Sequence, residues 1–144
     1  MSTEGKIAIA SDHAAFKLKE FLKKYLQEKG SSVVDLGCDS EDSTDYPIYA
    51  HKLAQYVVAE NAKGILLCGS GIGMSIVANR YKGVRAALCT NAEFAKLSRE
   101  HNNSNVLVLA ARFTDENTAK EILETWLNTE FEGGRHQKRV EQID

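Results

Sequence analysis

Residues 64–81 read GILLCGSGIGMSIVANRY, and the fold turns on how this stretch divides. Gly64 to Cys68 is a short apolar run of the kind that fills a strand covered on both faces. Gly69, Ser70, Gly71, Ile72 and Gly73 then turn the chain sharply into a helical stretch from about Met74 to Tyr81. Strand, glycine-rich turn and helix in that order form one unit of a parallel sheet with crossover helices.

The same alternation extends to both sides. Upstream, Lys6 to Ser11 reads as a first strand, and Leu18, Phe21, Leu22, Tyr25 and Leu26 mark one face of an amphipathic helix that stops at Gly30. Val33 to Leu36 is a second strand, an acidic loop runs from Gly37 to Asp45, and Pro47 opens a helix through about Ala62. Downstream, Val84 to Cys89 and Val106 to Ala110 are the fourth and fifth strands. Helices fill Asn91 to Asn102 and Thr114 to Asn128, the second capped by Thr114. The expected core is a five-stranded α/β sandwich forming one domain over residues 1–144. From Thr129 to Asp144, Gly133 and Gly134 form a hinge before a short charged helix with too few apolar positions to pack alone. That tail is expected to reach a partner subunit.

Composition narrows the function. The chain has 144 residues, enough for a real core, with 43% hydrophobic and 26% charged positions. Eighteen Lys and Arg against 20 Asp and Glu leave a net charge of -2, so no global basic field exists for nucleic acid or an anionic membrane. Cys38, Cys68 and Cys89 are an odd number without paired spacing, which points to a reducing compartment rather than a disulfide framework. No Cys/His pair has zinc-like spacing. The N-terminal apolar run soon meets Asp12 and His13, and no stretch approaches the roughly 20 apolar residues of a membrane span. A soluble cytoplasmic protein is expected.

In an open parallel sheet, ligands bind beyond the carboxyl ends of the strands. Three glycines in the five residues after the central strand exceed the needs of a plain turn. They let the backbone approach a ligand while its N–H groups point at an anion. The familiar nucleotide loops do not fit. Counted from Gly69, a dinucleotide fingerprint needs a sixth-position glycine where Met74 stands, and a Walker loop needs Gly-Lys where Met74 and Ser75 stand. A thiol phosphatase loop started at Cys68 would need arginine at the position of Met74.

Cys68 ends a strand and faces a helix N-terminus, whose partial positive charge favours thiolate over thiol. A thiolate beside N–H donors suits proton removal next to a carbonyl, because the donors hold the developing enediolate oxygen. Cys38 and Cys89 read as structural. Asp12 and His13 follow the first strand and so share the carboxyl edge with Cys68. His101 and Asn102 end the fourth helix, where an imidazole also simply suits the helix dipole. Arg135 and Arg139, four apart, share a helix face and fit either a phosphate clamp or an ordinary solvated surface.

Taken together, SDHAAFKLK, the TDYP of Thr44 to Pro47, CGSGIGMSIVANR, HNNSNVL and EGGRHQKRVEQI resemble the type B ribose-5-phosphate isomerases, a group that includes galactose-6-phosphate isomerase subunits. The resemblance runs nearly end to end, with the motifs in order. It implies a Rossmann-like three-layer α/β sandwich, a homodimer or dimer of dimers with active sites at the subunit interface, and no metal or organic cofactor. Cys68 matches the proton-transferring base, and Gly69, Ser70, Gly71, Ile72 and Gly73 match the anion hole. His101 matches the residue that opens the furanose ring, with Asn102 beside it. Asp12 and His13 match sugar-binding positions, Tyr46 lines the site, and Arg112, Arg135 and Arg139 match phosphate ligands. One branch lacks the cysteine and carries a glutamate base at the position of Met74, so Cys68 and Met74 place this chain in the cysteine branch. Ser70 stands where that branch often has threonine.

The expected activity is interconversion of ribose 5-phosphate and ribulose 5-phosphate through ring opening and a cis-enediolate. Within the isomerases, a six-carbon substrate such as galactose or allose 6-phosphate is the alternative. From another class, a non-catalytic sugar-phosphate-binding module would lack an acid-base pair, whereas Cys68 and His101 are both present.

Overall fold

The computed structural model describes residues 6–144. The chain runs β1 (Ile7–Ser11), α1 (Phe16–Glu28), β2 (Val33–Asp35), α2 (Tyr46–Glu60), β3 (Lys63–Cys68) and α3 (Ile72–Ala78). It continues through β4 (Ala86–Leu88), α4 (Ala92–Asn102), β5 (Val106–Ala110), α5 (Glu116–Leu127) and α6 (Arg135–Val140). The strands form one sheet in the order β2-β1-β3-β5-β4, and every pairing is parallel. The topology reverses between β1 and β3, the place where such sheets open a crevice at the strand carboxyl ends.

Alternation along the three central strands supplies two cores. Ile7, Ile9, Ile65, Leu67, Leu107 and Leu109 point into a cluster with residues of α1, α4 and α5, including Leu22, Ala95 and Trp126. Ala8, Ala10, Leu66, Cys68, Val106 and Val108 point the other way, toward Leu53 and Val57 of α2 and Met74 of α3. Both faces are thus covered, which is why these strands read as continuous apolar runs. Close packing of α2 explains Gly64: a Cβ there would stand 2.5 Å from Leu53 Cδ2.

The edge strand is tied down by charge. Lys19 of α1 is fully buried, and its ammonium lies 2.7 Å from an Asp35 carboxylate oxygen and 2.8 Å from Glu20. Lys23 joins the same Asp35 oxygen at 2.8 Å. Burial alone would raise the Asp35 pKa, but the two ammoniums and the Gly37 N–H outweigh it and hold the carboxyl below its usual range.

The sheet and its helical layers match the expected sandwich, with local corrections. The cap of α5 is Asp115, whose carboxylate accepts from the Thr118 N–H at 2.8 Å, so Thr114 does not cap it. α3 starts at Ile72, earlier than Met74, because Gly71 takes the turn at φ +77° and releases the next residue into the helix. β4 is only Ala86–Leu88. Two 3-10 turns, His13–Ala15 and Ala111–Phe113, carry His13 and Arg112. No helix among the described residues is long and apolar enough to cross a membrane.

Candidate active site

The carboxyl ends of β1, β3 and β5 place three turns side by side. Ser11 pairs with Leu67, and Cys68 with Ala110, so Asp12, Cys68 and Arg112 emerge from neighbouring strands. They line one cleft of about 430 Å³ together with His13, Tyr46 and the turn after β3.

Each wall of that cleft has a local cause. Cys68 is 5% exposed, and its sulfur accepts the Gly71 N–H at 3.2 Å. Gly71 can present that N–H because its φ of +77° suits glycine. A Cβ there would also stand 2.6 Å from Leu88 Cδ1. The Ser70 hydroxyl accepts the Ile72 N–H at 3.2 Å, which tightens the turn. Arg112 donates its N–H to the Gly69 carbonyl at 2.9 Å, and its guanidinium lies so close to Gly69 that a Cβ would be 3.1 Å from Cζ. Tyr46 covers Gly73 in the same way: a Cβ at Gly73 would stand 2.5 Å from the ring.

The β1 turn is equally fixed. Asp12 is buried, and its carboxylate accepts the N–H groups of Ala14 at 3.1 Å and Ala15 at 3.3 Å. His13 Nδ1 lies 3.1 Å from the Thr44 nitrogen and 3.2 Å from its oxygen. A backbone N–H can only donate, so satisfying it makes Nδ1 the acceptor and leaves Nε2 to carry the ring proton. In that tautomer His13 offers an N–H donor on the cleft wall.

The remaining predicted residues lie elsewhere. His101 and Asn102 end α4, which leads into the amino end of β5, whereas Cys68 sits beside the carboxyl end of that strand. One strand length, about 13 Å at roughly 3.3 Å per residue, separates the two rims. Asn102 lines a different groove with Ser104 and Asp144. Arg135 and Arg139 are exposed on α6. One chain therefore gathers Asp12, His13, Tyr46, Cys68, the glycine turn and Arg112, and holds His101, Asn102, Arg135 and Arg139 apart from them.

Residues 7–143 match the family model described as Ribose/Galactose Isomerase. The chain belongs to the ribose/galactose isomerase family. It is 46% identical over 139 residues to ribose-5-phosphate isomerase B of Escherichia coli strain K12, an alignment covering 96% of this chain and 93% of that one. It superposes on a crystal structure of a ribose 5-phosphate isomerase from Thermotoga maritima with a TM-score of 0.94 at 56% identity, covering 96% of this chain and 97% of that one. A crystal structure of ribose-5-phosphate isomerase B from Mycoplasma genitalium with bound ribulose 5-phosphate gives a TM-score of 0.92 at 41% identity, covering 96% and 93%.

In this ribose/galactose isomerase chain, sequence reasoning missed the supports of the second group. α6 packs on α4 of its own chain: His136 is buried and stacks on His101, with ring centroids 4.3 Å apart and planes 13° from parallel. The Glu132 N–H donates to the Glu100 carbonyl at 3.1 Å, fastening the segment before α6. Arg99, buried, donates to the Thr129 carbonyl at 3.0 Å and the Asn103 side-chain oxygen at 2.9 Å. It thereby holds the end of α4 and the start of the tail together. Glycines and basic residues hid this packing, because an imidazole and a guanidinium do the work that apolar side chains usually signal.

Proposed function

We propose that this chain interconverts ribose 5-phosphate and ribulose 5-phosphate, with Cys68 as the proton-transferring base. The observation that carries this reading is the Cys68 sulfur held by the Gly71 N–H at the topological switch point, inside a cleft that also presents His13 and Arg112. On the open-chain aldose, the Cys68 thiolate removes the C2 proton and the electron pair of that bond forms C1=C2. The carbonyl oxygen becomes the enediolate oxygen, which main-chain N–H groups of the 69–73 turn stabilise. The thiol returns its proton to C1, and the C2 hydroxyl proton passes to the oxygen on C1. Atoms and electrons balance within the sugar, so no redox partner is required.

Asp12 and His13 bind the sugar, Tyr46 lines the cleft, and Arg112 meets the phosphate. The second group, His101 with Asn102 for ring opening and Arg135 with Arg139 for the phosphate, comes from the partner subunit of a homodimer. Two features support this division. The two groups stand at opposite rims of one sheet, and Ile72 and Ile76, 55% and 54% exposed, present an apolar stripe beside the cleft.

The decisive experiment is turnover of ribose 5-phosphate in deuterated water by the purified protein after chelation, with galactose and allose 6-phosphates compared. Conversion with solvent deuterium entering the product supports the reading. Absence of conversion and exchange on every sugar phosphate favours a binding module.

A further inference from the structure

His13 Nδ1 stands beside two main-chain atoms of one residue, the Thr44 nitrogen at 3.1 Å and the Thr44 carbonyl oxygen at 3.2 Å. They ask opposite things of the ring. Accepting the Thr44 N–H places the imidazole proton on Nε2, whereas donating to the carbonyl keeps it on Nδ1 and leaves Nε2 with only a lone pair. A small turn of Thr44 therefore decides whether this histidine of the cleft wall offers a donor or an acceptor.

Thr44 lies near the end of the loop that joins β2 to α2. The middle of the loop does little to hold it: residues 39–43 are all exposed, and the surface pair Lys17–Glu41, 3.8 Å apart, adds little. Both ends instead meet one side chain. Tyr49 of α2 packs its ring on Gly37, where a Cβ would stand 2.7 Å from Cε1, and its hydroxyl lies 3.2 Å from the Thr44 hydroxyl. The Gly37 end is itself fastened to β1, its carbonyl accepting the Ser11 N–H at 2.8 Å. One aromatic ring thus spans the loop, from the end tied to β1 to the residue that Nδ1 meets.

We propose that Tyr49 is a positioning residue for substrate binding: acting through the Thr44 hydroxyl, it holds the Thr44 N–H on His13 Nδ1 and so keeps the ring proton on Nε2, where it meets the sugar phosphate. The last step rests on the sugar-binding role given to His13 above.

Three substitutions separate this role from plain packing. Tyr49→Phe keeps the ring on Gly37 and removes the hydroxyl. Thr44→Val removes the partner hydroxyl but keeps the backbone N–H, and Thr44→Ser retains both. Nitrogen NMR of the neutral imidazoles, recorded without substrate, should show His13 in the parent and in Thr44→Ser with a protonated Nε2 and an unprotonated Nδ1. In Tyr49→Phe and Thr44→Val the two signals should move toward each other as the tautomers mix. Unmoved His13 signals in Tyr49→Phe overturn the proposal.

In turnover of ribose 5-phosphate, Tyr49→Phe and Thr44→Val should each raise KM by about three- to tenfold and leave kcat within about twofold. The double variant should be no worse than either single one, because both remove the same contact. Additive losses, a parental KM beside a mixed tautomer, or an equal loss in Thr44→Ser overturns the positioning role. A parent chain that converts no sugar phosphate counts instead against the isomerase reading, and the substrate-free spectra still decide whether Tyr49 sets the tautomer.

Discussion

Gly71 and Cys68 are joined by a single contact, the backbone N–H of the glycine donating to the sulfur at 3.2 Å. The contact fixes the direction of the sulfur before any substrate arrives.

Removing that sulfur should abolish chemistry and spare the fold. Cys68→Ala is expected to lower kcat by about 10²- to 10⁴-fold, the usual worth of a positioned general base, with an unchanged circular dichroism spectrum. Activity within about tenfold of the parent would exclude Cys68 as the base.

The turn itself can be tested by two alanine substitutions that differ in one respect. Gly30 and Gly71 both have positive φ, but a Cβ at Gly30 meets nothing within 4 Å, whereas one at Gly71 lies 2.6 Å from Leu88. Gly30→Ala should show only the backbone effect, a loss of about 1 kcal/mol. Gly71→Ala should lose more in urea unfolding and should also reduce kcat, because its N–H must move off the sulfur. Equal stability losses with full activity would mean the contact is dispensable.

A site shared between chains predicts complementation. Chains bearing Cys68→Ala and chains bearing His101→Ala should each be nearly inactive. Mixed dimers should recover a fraction of parental turnover, since one of their two sites has both the thiol and the imidazole intact. Mass spectrometry verifies exchange of subunits, and verified exchange without recovery refutes the shared site.

The Lys19–Asp35 pair makes stability depend on pH in a stated direction. Because the folded Asp35 pKa is lowered, its contribution is fully present above the unfolded value of about 3.9 and is lost as pH falls through the folded value. Thermal melts should show the gap between the parent and Asp35→Asn closing at the acid end. A gap that stays constant from pH 7 to pH 3 contradicts the pairing.

Much of this was legible from the sequence because the central strands carry their burial openly. The runs around Ile9, Leu66 and Val108 are apolar on both faces, and the glycines after Cys68 announce a close approach. The site was legible in halves. Asp12, Cys68 and Arg112 each stand at the carboxyl end of a strand, so sheet topology alone joins them. His101 follows a helix, and its neighbour His136 lies 35 positions away across a glycine hinge, a distance no local spacing rule spans. Thr114 is one residue short of the true cap, Asp115, since Thr and Asp are both good caps and only the backbone angles choose between them.

Because the thiol turn and the end of α4 occupy opposite rims of a single sheet, the reach between them is stored in no one backbone. In the proposed homodimer it is set by how two copies seat against each other. Accepting a sugar one carbon longer would then call for a wider seating rather than a new turn, and substitutions that trade pentose for hexose phosphates are expected on the exposed surface around Ile72 and Ile76.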